Sequence, residues 1–226
     1  MAKPATVAKR PRRERGSINP DDIIAGAFAL AEQVSIDNLS MPQLGRHLGV
    51  GVTSIYWYFR KKDDLLNAMT DRALRQCEFA TPYVAADDWR RTLANHARTT
   101  RATFLANPIL CDLILIRSAL SPRAVRAGEQ EVEKAIANLA DAGLSAQDAF
   151  DVYSAVSVHV RGSVVLHRLH EKNQAANADA HALEDTIRIG AADDHNFEYG
   201  LQCILEHAER LIDEGKKAGP KARRKS

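Results

Sequence analysis

Between residues 40 and 62 the chain concentrates side chains able to grip a polyanion: Ser40, Gln43, Thr53, Ser54, Tyr56, Tyr58 and Lys62. Thr53 and Ser54 can donate to phosphate oxygens or base acceptors. Tyr56 and Tyr58 can donate through their hydroxyls and lay their rings on sugars or thymine methyls. Lys62 can bring its ammonium to a phosphate near a helix N-terminus, where anions are favoured. Arg46 and Gln43 are secondary candidates. No nucleophile with a base and an orienting partner is visible, nor a Gly-rich phosphate loop or a metal triad, which argues against an enzyme. His167 and His170 have a spacing that could share a metal, but exposed or core-satisfied imidazoles are the simpler reading. No metal or cofactor is expected.

These groups need rigid elements beneath them. Apolar residues recur at three- and four-residue steps along the chain, without period-2 alternation or an Asn-Gly or Asp-Gly hairpin signal, so the fold is expected to be all-α. Asn19-Pro20 is a helix start, with Asp21 and Asp22 favoured by the positive helix end. That helix should run to about Val34 on a stripe of Ile23, Ile24, Ala27, Phe28, Ala31 and Val34, with Asp37-Asn38 as a turn. A short helix follows Ser40, with Leu44 and Leu48 inward and Gly49 as its stop. Another covers Val52 to Phe59, with Ile55 inward. Tyr56, Trp57 and Tyr58 are consecutive and cannot all face the core, so at least one is exposed. Two short helices joined by Gly49-Val50-Gly51 have helix-turn-helix proportions: the first crosses the DNA backbone and the second enters the major groove.

Asp63 and Asp64 should cap a connecting helix with Leu65, Leu66, Met69 and Ala73 on one side. Further helix starts lie at Asp87-Asp88, Pro108, Ser121-Pro122, Ser145 with Asp148, and Asp194 to Asn196; Gly143 and Gly215 read as stops. The polar stretch from Glu171 to about Asp194 reads as a long connection, in part helical. The expected division is a disordered basic arm (1–18), a DNA-binding domain including the start of the connecting helix (19–80), a larger helical domain (81–214) and a basic tail (215–226).

Charge sharpens this division. Residues 1–16 hold six Lys/Arg against one acid, and residues 215–226 hold six with none; the remaining residues 17–214 carry 19 basic and 28 acidic groups, a net of −9. Attraction to nucleic acid must therefore come from local placement and from the tails. The arm could lie along the backbone or enter the minor groove. No stretch approaches the roughly 18 apolar residues of a membrane span, and the basic N-terminus has no apolar signal core behind it. Cys77, Cys111 and Cys203 are widely spaced, as expected of reduced thiols in a cytoplasmic protein.

The run LSMPQLGRHLGVGVTSIYWYFRKKDDLL, with its Leu-Gly-Val turn, aromatic trio, Phe59, Lys62 and Leu65-Leu66, resembles the DNA-binding domain of the TetR family of regulators. The Tyr-Trp-aromatic version is similar to the tetracycline-repressor branch, and FEYGLQCILEHAERLI resembles that branch's last helix. The resemblance implies DNA contacts from Ser40, Pro42, Thr53, Ser54, Tyr56, Tyr58 and Lys62. Val52 stands where relatives often carry a polar base-reading residue and Tyr58 where histidine is common, so no relative's operator sequence transfers.

The resemblance further implies a homodimer on a palindromic operator, built from the last two helices. The candidate interface is Val156, Val160 and Val164, with Gly162 allowing close approach, together with Phe197, Leu201, Ile204, Leu205 and Ala208; packing of these faces within one chain is the alternative. It also implies a chamber for a largely apolar effector whose binding releases DNA, with Trp89, His96, Phe104, Leu113, Ile116 and Tyr153 as candidate walls. Repression by a ligand-responsive protein is the favoured reading. An activator or an effector-independent DNA-binding protein retains the helix-turn-helix without that switch.

Overall fold

The structure, a computed structural model, describes residues 18–80, 83–85, 88–118, 126, 129–176 and 193–218. Among them there are helices and turns and no strand. The chain parts into two compact units, Met1–Arg72 and Ala73–Ser226.

In the first unit, α1 (Pro20–Asn38) starts where its capping chemistry dictates. The Asp22 amide donates to Asn19 Oδ1 at 2.8 Å, and the Asn19 amide donates back to the Asp22 carboxylate at 3.4 Å. Ser35 breaks the regular winding with φ 66 and ψ 162, so only a last turn separates the expected end near Val34 from Asn38. Ile23, Ile24, Ala27, Leu30 and Ala31 are buried, whereas Phe28 and Val34 are only half-buried, turning the inward stripe toward Leu30. The α2 helix (Met41–Leu48) is capped by Ser40, whose hydroxyl accepts the Gln43 amide at 3.4 Å and donates to its side-chain oxygen at 2.6 Å. It ends at Gly49, whose φ of 69 suits a residue without Cβ. A Cβ on Gly26 would run into Leu48, so glycine sets the close approach of α1 and α2. The α3 helix (Val52–Tyr58) is pinned by the fully buried Ile55. In α4 (Lys62–Ala80), Asp64 accepts the Lys61 amide at 3.2 Å, and Leu65, Leu66, Met69 and Ala73 are buried.

The second unit contains α5 (Trp89–Ala106), capped by Asp88, and α6 (Pro108–Leu110), which runs into a π-helical turn at Cys111–Arg117. It continues with α7 (Glu129–Asp141), α8 (Ala146–Ala176) and α9 (Asp194–Ala218). Its core joins Leu93 and Ala97 of α5, Ala135 and Leu139 of α7, Val152, Val156 and Val160 of α8, and Phe197, Leu201, Leu205 and Ala208 of α9. Between α8 and α9, a Cβ on Gly200 would overlap the His159 ring, which stacks on Phe197 and donates to its carbonyl at 2.8 Å. Between α8 and α9 the glycine that permits close packing is thus Gly200, while Gly162 meets nothing within 4 Å of where its Cβ would be.

Ion pairs bind α5 to α9 in antiparallel order: Arg90 with Glu209, Arg98 with Glu198, and the buried Arg101 with Asp194 at 2.6 Å. The π-helical turn is tied to α8 by the buried Asp112, which accepts Arg168 in bidentate fashion at 3.1 and 2.9 Å and Lys172 at 3.0 Å.

Gly143 ends its helix with φ 119, but Gly215 does not. The α9 helix runs on to Ala218, because glycine inside a helix costs only about 1 kcal/mol relative to alanine and Lys216 and Lys217 suit the negative helix end. Asp193 rather than Asp194 caps α9, accepting the Asn196 amide at 2.7 Å. The expected connection after Glu171 is helical through Ala176. The expected start at Ser121-Pro122, residues 177–192, most of the arm and the end of the tail lie outside the described residues.

Candidate nucleic-acid interface

Burial of Ile55 fixes the rotation of α3 and hence what it presents. Thr53 is exposed and Ser54 half-buried, while the aromatic side chains at 56, 57 and 58 are 42%, 79% and 36% exposed. Opposite Ile55 stand Thr53 and, one turn on, Trp57, flanked by Tyr56 on one side and by Ser54 and Tyr58 on the other. Trp57 is not among the residues that the sequence pointed to. Its place two residues past Ile55 and four past Thr53 is the signal that could have found it.

Two of the expected contact residues have internal partners. Tyr58 donates its hydroxyl to the Ile18 carbonyl at 3.0 Å, and Lys62 donates its ammonium to the Asp37 carbonyl at 3.0 Å. Lys62 therefore satisfies a backbone oxygen at the end of α1. On α2, Pro42 is exposed, Gln43 is half-buried, Ser40 is committed to the cap, and Arg46 and His47 are exposed.

In the second unit the structure gathers some of the expected effector walls and separates others. The His96 ring lies 5.1 Å from that of Tyr83 and 6.1 Å from that of Tyr153, and Trp89 packs on the same core. Tyr83, absent from the sequence-based candidates, donates its hydroxyl to Asn138 at 3.0 Å and its amide to Glu131. Burial, and less strongly the facing Tyr153, push the Tyr83 phenol well up; burial likewise raises Tyr153, so both are neutral. Burial would raise the Glu131 carboxyl, but hydrogen bonds from Lys134 and the Tyr83 amide hold it below its ordinary value. One turn beyond His96, the buried Thr100 hydroxyl oxygen has no hydrogen-bond partner among the described residues. Phe104 and Leu113 are buried outside this core cluster, and Ile116 is exposed.

The expected dimer residues pack within one chain. Val156, Val160, Val164, Phe197, Leu201, Leu205 and Ala208 are buried inside the protomer, and Ile204 packs half-buried against the same core. The apolar faces of α8 and α9 meet each other within one chain. A second set is exposed: Val158, Leu166 and Leu169 on α8 and Tyr199 and Cys203 on α9, with Gly162 open beside them.

The profile for bacterial regulatory proteins of the tetR family matches residues 23–69, and that for the tetracyclin repressor-like C-terminal domain matches residues 81–211. The chain belongs to the TetR family. It is accordingly a helix-turn-helix transcription regulator and not an enzyme. An HTH-type transcriptional repressor of Mycobacterium tuberculosis is 66% identical over 231 residues, spanning 94% of this chain and 88% of its own. The class A tetracycline repressor protein from transposon 1721 in Escherichia coli is 29% identical over 208 residues, spanning 88% of this chain and 90% of its own. Among solved structures, TetR from Acinetobacter baumannii AYE aligns over 87% of this chain and 99% of its own with a TM-score of 0.63 at 24% identity. A variant of that TetR in complex with minocycline gives 0.59 at 26% identity over the same shares. Among the described residues no single helix is long and apolar enough to cross a membrane.

Proposed function

We propose that this TetR-family chain is a cytoplasmic, homodimeric repressor that holds a palindromic operator through α2 and α3 and releases it when a small molecule binds the second unit. The observation that carries DNA reading is the exposed face of Thr53, Tyr56 and Trp57 on a helix locked by the buried Ile55. Such a face offers hydroxyl donors and aromatic surface to base edges and sugars. Pro42 and Gln43, with the Ser40 cap, would set α2 on the backbone, and Ser54 and Lys62 would flank the groove. Residues 19–80 form the proposed DNA-binding domain and 81–214 the effector-binding and dimerisation domain.

For the effector, the Tyr83–His96–Tyr153 cluster beside Trp89 combines ring surface with neutral donors, and the Thr100 oxygen is left over for a ligand. This favours a largely apolar compound with a few hydrogen-bonding groups. The similarity to a protein solved with minocycline supports that class without identifying the compound. Dimerisation is assigned to the exposed set Val158, Leu166, Leu169, Tyr199 and Cys203, because the buried stripe is already occupied. Repression is supported by the 66%-identical repressor.

Selection of bound fragments from a random duplex pool, repeated with a panel of apolar, ring-containing compounds, tests this reading. A palindromic consensus released by one compound class is expected. Binding without sequence preference, or a consensus lacking two-fold symmetry, would overturn it.

A further inference from the structure

Phe59, at 8% exposure, closes α3 by giving its amide to the Ile55 carbonyl at 2.9 Å, so the link that follows is fixed to that helix. The link is Arg60 and Lys61, and both side chains are exposed. Three donors around it are already spent. Tyr58 gives its hydroxyl to the Ile18 carbonyl, the Lys61 amide goes to the Asp64 carboxylate at 3.2 Å, and Lys62 gives its ammonium to the Asp37 carbonyl at 3.0 Å. The Arg60 guanidinium and the Lys61 ammonium have no hydrogen-bond or ion-pair partner among the described residues. Lys62, unlike these two neighbours, is half-buried. Its acceptor lies in the last turn of α1, which follows the break in winding at Ser35 and leads through Leu39 to the Ser40 cap of α2.

We infer that the phosphate-binding charge at the end of α3 is carried by Arg60 and Lys61, while Lys62 is a positioning residue that joins the start of α4 to the turn entering α2. This rests on the operator-binding reading above.

Groove geometry and charge both support the assignment. A helix with its side chains is about 10–12 Å across and the major groove is about 12 Å wide, so a helix seated there has phosphates along both flanks. Its inward face reaches base edges, and the chain leaving its end passes the backbone. At no more than about 3.6 Å per residue, Arg60 lies within roughly 11 Å of Trp57, and duplex DNA presents one phosphate charge per ~1.7 Å of axis. Residues 18–72 hold five Lys/Arg against seven Asp/Glu. Lys62 and Arg72 give donors to backbone carbonyls, which leaves Arg46, Arg60 and Lys61 as the exposed positive charge of this stretch. A phosphate that took the Lys62 ammonium away from α1 would break an existing bond, whereas Arg60 and Lys61 give none up.

The test uses the full chain, with duplex affinity measured against salt concentration. One variant carries Arg60→Gln and Lys61→Gln. A charge-matched control carries Arg75→Gln and Arg91→Gln, both exposed and both in the second unit. A third variant carries Lys62→Met. The first should lower the salt slope by about 1.8, at roughly 0.9 for each phosphate contact, with helical content and the order of preferred sequences unchanged. The control should keep the wild-type slope. Lys62→Met should weaken binding at every salt concentration, with the slope unchanged and the thermal midpoint lowered. A wild-type slope in the first variant overturns the inference, and so does an equal fall in the control, which would mean that net charge alone acts. A slope lower by about 0.9 in Lys62→Met returns the phosphate contact to Lys62 and overturns its positioning role, as does wild-type affinity in that variant. If the wild-type chain binds duplex without sequence preference, the repressor reading falls and the slopes still decide the phosphate assignment; if it binds no duplex, both fall.

Discussion

Trp57 and Ile55 sit two positions apart on a seven-residue helix and play opposite parts. The fully buried Ile55 fixes helix rotation, and the 79%-exposed Trp57 is what that rotation displays. Because Trp57 contributes little to burial, Trp57→Ala should weaken operator binding by about tenfold or more, equivalent to ~1.4 kcal/mol, with the thermal midpoint unchanged; titration of labelled operator together with a melting curve checks this. Ser35 holds φ 66, where a side chain is strained and glycine is not. Ser35→Gly should therefore stabilise the first unit by about 1 kcal/mol, read as a higher urea midpoint. Cys111 shows the same dependence on surroundings. Burial pushes its thiol up to about 11, the neighbouring Asp112 charge adds to that, and Arg168 and Lys172 oppose it, so it stays protonated and unreactive at neutral pH.

Among the elements, the π-helical turn Cys111–Arg117 depends on one carboxylate. Asp112 is 5% exposed and faces both Arg168 and Lys172 of α8. Removing one partner of a buried pair leaves charge without compensation. The cations here keep some exposure to water, so Asp112→Ala should cost the second unit about 2–3 kcal/mol, below the roughly 3–5 of a fully buried pair. Denaturant unfolding followed by circular dichroism measures the loss. The ion pairs between α5 and α9 are mostly more exposed and set register more than stability.

At the scale of the whole molecule, α8 is apolar on two sides, and among the described residues one side is covered within the chain. Val156 is 1% exposed and Val158 is 70% exposed. Val156→Arg should therefore abolish folding of the second unit, burying a charge with no partner. If the protein is the homodimer proposed above, Val158→Arg should leave the protomer folded and split that dimer, with operator affinity lost because the two reading helices would no longer be held at half-site spacing. Sedimentation with circular dichroism separates these outcomes. A folded Val158→Arg dimer would remove this face from the interface.

Local chemistry carries its message in the order of residues, which is why the helix starts at Asn19-Pro20, Ser40, Asp88 and Ser145 are legible in the sequence alone. Each cap is a bond between residues three apart. The motif from Leu39 to Leu66 is legible for the same reason, since its meaning lies in short spacing. The partner of an apolar stripe is not local. Val156 and Leu201 obey the same periodicity whether they meet their own chain or another, and only the packing of α8 on α9 at Gly200 assigned them to the protomer. Likewise, nothing in the order of residues announced that Tyr58 would reach Ile18 or that Lys62 would reach Asp37. Those bonds join segments far apart in the chain, and they exist because buried side chains such as Ile23, Leu44 and Ile55 bring the helices together.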